Sequence, residues 1–198
     1  MKTTLELLYE KIKTICASYE KDEISGYITG DGPVPCDILF LGEAPGMNEV
    51  LLHKPFVGVA GRTLESYLLK ICLKRENIRI TNSCYFRPIK HREGKNGKSS
   101  VHNRTPRPFE LELFREVLDQ EISLVNPKII VTLGNVALRR VTEYKTIGSC
   151  HGKLYFNNDI KKWIFPLYPP SALTYNHSEE FKASYESDWL MLKEILAR

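Results

Sequence analysis

The chain contains no apolar run near the ~20 residues that a membrane span requires, and its opening stretch, MKTTLELLYEKIK, lacks the apolar centre of a secretory signal. It also lacks any C-x-x-C pair. Its five cysteines are odd in number and scattered, which argues against a disulfide scaffold. They point instead to a reducing compartment, cytoplasmic or nucleoid-associated and not secreted, so the sequons at Asn103 and Asn176 carry no weight. Excess charge is small, a formal +4 over 198 residues, which permits an anionic partner without demanding one. There is no internal repeat and no linker, so residues 1–198 read as one domain, expected to be a monomer.

Several chemistries are also missing. No G-x-S-x-G nucleophile elbow and no H-x-E…P-C-x-x-C deaminase signature occur. Gly94-Lys-Asn-Gly-Lys-Ser99 imitates the end of a phosphate-binding loop, but its first glycine would fall at Arg92 and no strand leads into it. Cys150-His151 has no further ligands at zinc spacing.

What is present is an ordinary globular balance, 42% hydrophobic and 26% charged, with helix and strand periods in alternation. Leu5, Leu8, Ile12, Ile15 and Tyr19 predict an amphipathic helix over residues 4–19. Asp37 to Leu41 is a continuous apolar run, the mark of a strand buried on both faces. A helix through Leu64, Leu68, Leu69 and Cys72 and a strand from Ile78 to Phe86 follow. Residues 87–107 read as a long basic loop, Pro108 to Val125 as a helix, Lys128 to Leu133 as a strand, and Asn135 as the start of a short helix. Lys162 to Leu167 reads as a fourth strand, and Ser178 as the cap of a last helix with Phe181, Tyr185, Trp189, Leu192 and Leu196 in one stripe. The distinctive loops all follow strands, where α/β sheets bind ligands.

Those loops carry the motifs Gly42-Glu-Ala-Pro-Gly46, Pro55-Phe-Val-Gly58 with Ala60-Gly61, Thr81-Asn82, Arg87-Pro88, Asn103-Arg-Thr-Pro106, and Pro127-Lys-Ile-Ile-Val131 with Leu133-Gly134 and Ala137-Leu138. Each is short; six in order resemble the family four uracil-DNA glycosylases, from the first helix through Leu173. The resemblance implies a three-layer α/β/α sandwich on a four-stranded parallel sheet, and DNA as the partner. It also implies hydrolysis of a base's N-glycosidic bond. On it, Glu43 is the carboxylate that stabilises the oxocarbenium-like sugar and orients water, and Asn82 reads the base edge and shares in catalysis. Gly42, Ala44, Pro45, Phe56 and His53 line the base pocket, with Phe56 stacking on the flipped base. The alternatives to these roles are a first-turn acid beside exposed amides for Glu43, a core residue for Phe56, and a turn former at a strand end for Asn82. Tyr168-Pro-Pro-Ser-Ala-Leu173 stands where the family presses on DNA; Ser171 would hold phosphate and Leu173 would wedge into the gap left by the base. Arg104, Lys95 and Lys98 are further DNA contacts expected from the basic stretch, which holds six Lys/Arg between 90 and 107 against Glu93 alone.

Three departures stand against a simple transfer. The family holds a four-iron cluster with four cysteines; here Cys16 matches one, while Tyr19, Phe86 and Phe114 occupy the other positions, and Cys84 lies two residues before Phe86. Two thiols do not hold a cubane cluster, so neither cofactor nor metal is expected. Pro169 replaces the family's second-motif histidine, and the 90–100 stretch is an insertion. The expectation is a monofunctional glycosylase acting on uracil or on a modified pyrimidine, such as hydroxymethylated or glucosylated cytosine of phage DNA, the latter in defence. The alternatives are a weak or inactive DNA-binding protein on the same fold and a nucleotide-binding α/β protein.

Overall fold

A computed structural model describes residues 2–19, 23–94 and 96–197. Helix α1 (Thr4–Ala17) opens on a capping box in which Thr3 and Glu6 exchange backbone-to-side-chain bonds, and it buries Leu8, Ile12 and Cys16. There follow β1 (Ile24–Tyr27), β2 (Ile38–Gly42), α2 (Met47–Leu52), α3 (Val59–Lys70), β3 (Arg79–Asn82), β4 (Phe86–Glu93) and β5 (Ser99–Asn103). The second half comprises α4 (Pro108–Leu113), α5 (Arg115–Val125), β6 (Ile129–Leu133), α6 (Asn135–Val141), β7 (Tyr155–Asn157), β8 (Lys162–Leu167), α7 (Ala172–Tyr175) and α8 (Glu179–Leu196).

The main sheet runs β3-β2-β6-β8-β7. Its first four strands are parallel, as the resemblance implied; β7 adds a short antiparallel edge that the sequence did not announce. Alternation along β2 sends Leu39 and Leu41 into a core with α1 and α5, and Phe40 into a second core with α3 and α8. The apolar run therefore has helices on both sides, which gives the expected three layers.

Three expectations need correction. The strand read from Ile78 to Phe86 is two strands: after Asn82, Ser83 N–H and Oγ donate to Gly42 O and Cys84 N–H donates to Glu43 O, so the chain folds across the end of β2. The basic loop is largely an antiparallel hairpin, β4 with β5, paired from Ile89↔Asn103 to Glu93↔Ser99. β4 also pairs with β1 to make a second, three-stranded sheet. The overlooked signal was Asn96-Gly97, with Gly97 at φ +69, in the hairpin turn. The helix over 108–125 breaks at Phe114, which caps α4 and begins α5.

A buried carboxylate fixes the strand that ends at Asn82. Glu121 on α5 accepts from Arg79 Nη2 (2.6 Å) and Nε (3.1 Å) with one oxygen, and from Thr81 Oγ1 (2.8 Å) and Tyr85 Oη (2.5 Å) with the other. Charge and lone pairs are satisfied together, as burial demands.

Candidate active site

The ends of β2 and β3 lie side by side, with Gly42 paired to Asn82. A β-carbon placed on Gly42 would meet Asn82 Oδ1 at 2.4 Å and the Phe56 ring at 2.8 Å, so glycine is what lets these two side chains converge there. Asn82 is only 3% exposed, and its Oδ1 is buried without a hydrogen-bond partner. A buried unpaired acceptor costs about 1–3 kcal/mol, and in a cleft it marks a place where a ligand donor belongs.

Phe56 is held against preference. Its φ of +51 is a strained value for a bulky side chain. Arg75 binds both flanking carbonyls, donating to Phe56 O at 3.0 Å and to Pro55 O. Gly61 leaves room for the same peptide; its β-carbon would lie 2.1 Å from Phe56 O. Glu49 completes the brace, accepting from Gly46, Val57 and Gly58 N–H at 3.1, 3.0 and 2.8 Å. Neither Arg75 nor Glu49 was picked out from the sequence, because each acts through backbone groups that only the fold brings near.

Glu43 follows Gly42 directly and is half-buried. Burial raises its carboxyl above the ordinary value, against the opposing hydrogen bond from Thr105 and the field of Arg139. Thr105 gives the Asn103–Pro106 motif a place in the site. In the same motif, Asn103 Oδ1 accepts from Arg87 Nε at 2.7 Å. Ala44 packs into the core beside α1 and α5, and Pro45 is buried. His53 is exposed and closes α2 in a left-handed conformation, φ +50, so what the geometry gives it is a capping position.

Pro169 rests on Gly134, whose β-carbon would come within 3.3 Å of the proline ring. Ser171 caps α7, and Leu173 is half-buried against the core of α3 and α8. Two residues beyond it, Tyr175 is 84% exposed at the end of the same short helix, and the sequence reading passed over it.

Arg104, expected at DNA phosphates, is instead spent inside the protein. Its guanidinium forks onto Glu110 with two 2.6 Å bonds, and its Nε donates to Ile89 O at 2.9 Å, so it clamps the root of the β4–β5 hairpin. Burial alone would raise the Glu110 carboxyl, but Arg104, the Arg107 N–H and Tyr19 Oη together hold it below the ordinary value of 4.5. A depressed carboxylate contributes stability above its unfolded pKa, and that stability is lost as pH falls through the lower folded value. Arg104→Ala strands a buried carboxylate and is expected to cost about 3–5 kcal/mol, read by urea unfolding at pH 7. Lys98 is exposed at the hairpin turn; Lys95 lies outside the described residues.

The positions that the resemblance assigns to cluster ligands do converge, but as packed rings. Tyr19 and Phe86 have centroids 4.8 Å apart, Phe86 and Phe114 5.2 Å apart, and Cys16 and Cys84 share that core. Burial pushes the Cys16 thiol up to about 12 and raises Cys84 as well, so neither is a ready thiolate. These residues do not fit an iron–sulfur cluster, and among the described residues no group of three or more His, Cys, Asp or Glu could hold a metal ion. Protein purified without oxygen is expected to be colourless and free of stoichiometric iron, as measured by absorbance and metal analysis.

Comparison with known proteins finds a family and relatives. A model of the uracil DNA glycosylase superfamily matches residues 29–193. A type-4 uracil-DNA glycosylase of Archaeoglobus fulgidus is 32% identical over 184 residues, covering 88% of this chain and 84% of that protein. One of Saccharolobus solfataricus is 35% identical over 182 residues, covering 86% and 76%. A solved structure of Pedobacter heparinus SMUG2 aligns over 96% of both chains with a TM-score of 0.47 and 11% identity.

Proposed function

From the membership of this chain in the uracil DNA glycosylase superfamily, to which it belongs, we propose that it removes uracil from DNA by hydrolysing the N-glycosidic bond. The observation that carries the reading is the unpartnered Oδ1 of Asn82 beside the Phe56 ring over Gly42. Uracil offers N3–H, the donor that this acceptor lacks, and a flat face for the ring.

In this reading the base leaves the stack and lies against Phe56 with its edge on Asn82. As the bond from C1′ to the base nitrogen lengthens, positive charge grows on the sugar, and the Glu43 carboxylate stabilises it and orients a water. Water adds to C1′, its proton goes to solvent through Glu43, and the base departs as an anion that is then protonated. Pro169 brings no N–H to that anion, so its departure relies on Asn82 and the surrounding dipoles. The protein acts without a cofactor in this scheme. Among the described residues no lysine is placed at Gly42, Glu43 and Asn82 as a Schiff-base nucleophile, so the product is an abasic site in an intact strand.

The surface that meets DNA is the motif loop of Ser171 to Tyr175 together with Lys98 on the hairpin. Leu173 is partly committed to the core, and Tyr175 extends the wedge as an exposed ring able to fill the gap in the stack. Tyr175→Ala is expected to lower kcat/KM on duplex substrate about 10-fold, on the ~1–3 kcal/mol that base–aromatic stacking is worth. Single-stranded uracil DNA, which needs no gap filled, loses little.

The deciding assay measures abasic sites in single- and double-stranded uracil oligonucleotides, alongside hydroxymethylated and glucosylated cytosine DNA, with Glu43→Ala as control. Uracil release that disappears in the variant is the expected result. Release from modified DNA alone would replace uracil with a modified pyrimidine and favour a role in defence. Binding without release from any substrate would leave a DNA-binding protein on a glycosylase fold.

A further inference from the structure

At the opposite end of the sheet from Gly42 and Asn82 lies a second feature that the glycosylase reading does not use. Phe156 on β7 and Trp163 on β8 are cross-strand partners, 5.0 Å between centroids and edge-on at 63°, and they are 43% and 45% exposed. Large aromatics this open on a sheet face are unusual, since burial is where their apolar area stabilises most. An edge-on pair also leaves a ring face free for a third ring. The two rings border a concavity of about 430 Å³ that Asp37, Asn126, Pro127, Lys128, Lys161 and Lys162 complete. Its residues are linked to one another: Lys128 Nζ reaches Asp37 Oδ2 at 2.8 Å, Lys162 Nζ donates to Asn126 Oδ1 at 2.6 Å, and the Trp163 backbone N–H donates to Lys128 O at 3.1 Å. Three lysines and one aspartate line the concavity, and Lys128 and Lys162 each keep further donors beyond the single bond named.

We propose that this concavity is a second nucleic-acid site, which binds an unpaired nucleotide of single-stranded DNA by stacking its base on the Phe156–Trp163 pair and neutralising its phosphates with Lys128, Lys161 and Lys162. Aromatic platforms interleaved with lysines are what a single strand requires, because its base faces are available and its charge is continuous. A duplex keeps its base faces stacked and offers nothing to the rings. The site lies where β6 and β8 begin, whereas the base pocket lies where β2 and β3 end. At about 3.3 Å per residue, the length of β2 separates them by roughly 15 Å along the strands. A strand held at the far site therefore raises the effective concentration of neighbouring DNA at the pocket without entering it.

Tryptophan emission tests this directly, because the chain has two tryptophans and the other, Trp189, is 1% exposed inside the core of α3 and α8. Oligothymidylate about ten nucleotides long, which contains no uracil, is titrated into the wild-type chain at low salt. The expected result is loss of most Trp163 emission, weakening as salt is added, with little loss from a duplex of equal length. Lys128→Glu with Lys162→Glu keeps Trp163 in place; its titration midpoint is expected to rise at least about 10-fold, with its melting temperature and its uracil release from short oligonucleotides unchanged. Unchanged emission with oligothymidylate, an unchanged midpoint in the double variant, or quenching by an acidic peptide in place of DNA would each overturn the proposal. None of these outcomes bears on release of uracil at Glu43, which the abasic-site assay reads separately.

Discussion

Glu43→Gln is expected to lose about 10²–10³ in kcat on uracil DNA, the range for removing one preorganised charge-stabilising group, with KM little changed. The amide keeps the shape and a carbonyl lone pair but not the charge, so it can neither balance an oxocarbenium-like sugar nor take a proton from water. The wild-type pH profile follows from the same residue. Its carboxyl titrates above 4.5 because burial disfavours the charged form, and the active form is the carboxylate. Activity therefore falls as pH drops through a value higher than an exposed glutamate would give. Thr105→Val removes a hydrogen bond that favours the charged form, so it is expected to move the acid limb further up and leave the rate on the alkaline plateau nearly intact. A limb that stays put, or that moves down, would remove Glu43 as the group that titrates. Stability runs the other way: a carboxylate whose burial raises its pKa is a cost to the folded state at neutral pH. Glu43→Gln is therefore expected to melt at a higher temperature than the wild type while it loses turnover, as removal of functional strain commonly does.

The layers of this fold were legible because they rest on periodicity. Leu39, Phe40 and Leu41 predicted a strand covered on both faces, and the two cores on either side of β2 bear that out. Ser178 was readable as a cap, and its Oγ does accept from Phe181 N–H at 3.2 Å. Elements whose reasons are not periodic were misread. β4 changes from buried to exposed after Ile89, so half of it looks like core strand and half like charged loop. β7 is three residues long and exists through its pairing with β8.

The site divides in the same way. Gly42, Glu43, Phe56 and Asn82 were visible through the motifs that carry them, and the structure places Gly42, Phe56 and Asn82 together. Arg104 was read by its charge, whereas its partner Glu110 is six residues away in sequence and completely buried, which turns an apparent DNA contact into a clamp. Thr105, Glu49 and Arg75 act on groups distant in the chain, and no local pattern reports such a bond.

Asn82→Ala is expected to lower kcat/KM for uracil DNA by at least about 10²-fold, since a site built to hydrogen-bond one edge loses both discrimination and binding when the amide goes. The chain's fold should tolerate the change. Deleting a buried side chain removes packing, but here it also removes an Oδ1 that no protein donor reaches, and the two effects oppose each other at about 1–3 kcal/mol each. Gly42→Ala provides the complementary test, for it leaves Asn82 and Glu43 chemically intact. Its methyl group would stand 2.4 Å from Asn82 Oδ1 and 2.8 Å from the Phe56 ring, so one of them must leave the place where the base would sit. Phe56 is the more firmly tied, through Arg75 and the close approach of Gly61, and the displacement falls on Asn82. If the base is held as proposed, both variants fail on uracil DNA, and Gly42→Ala loses both KM and kcat, because the displaced Asn82 neither holds the base edge nor stabilises the departing anion, while the sugar's charge still meets Glu43. Full activity in Gly42→Ala would mean that the base binds elsewhere along the loop, and that the unpaired Oδ1 is left over from folding and has no part in recognition.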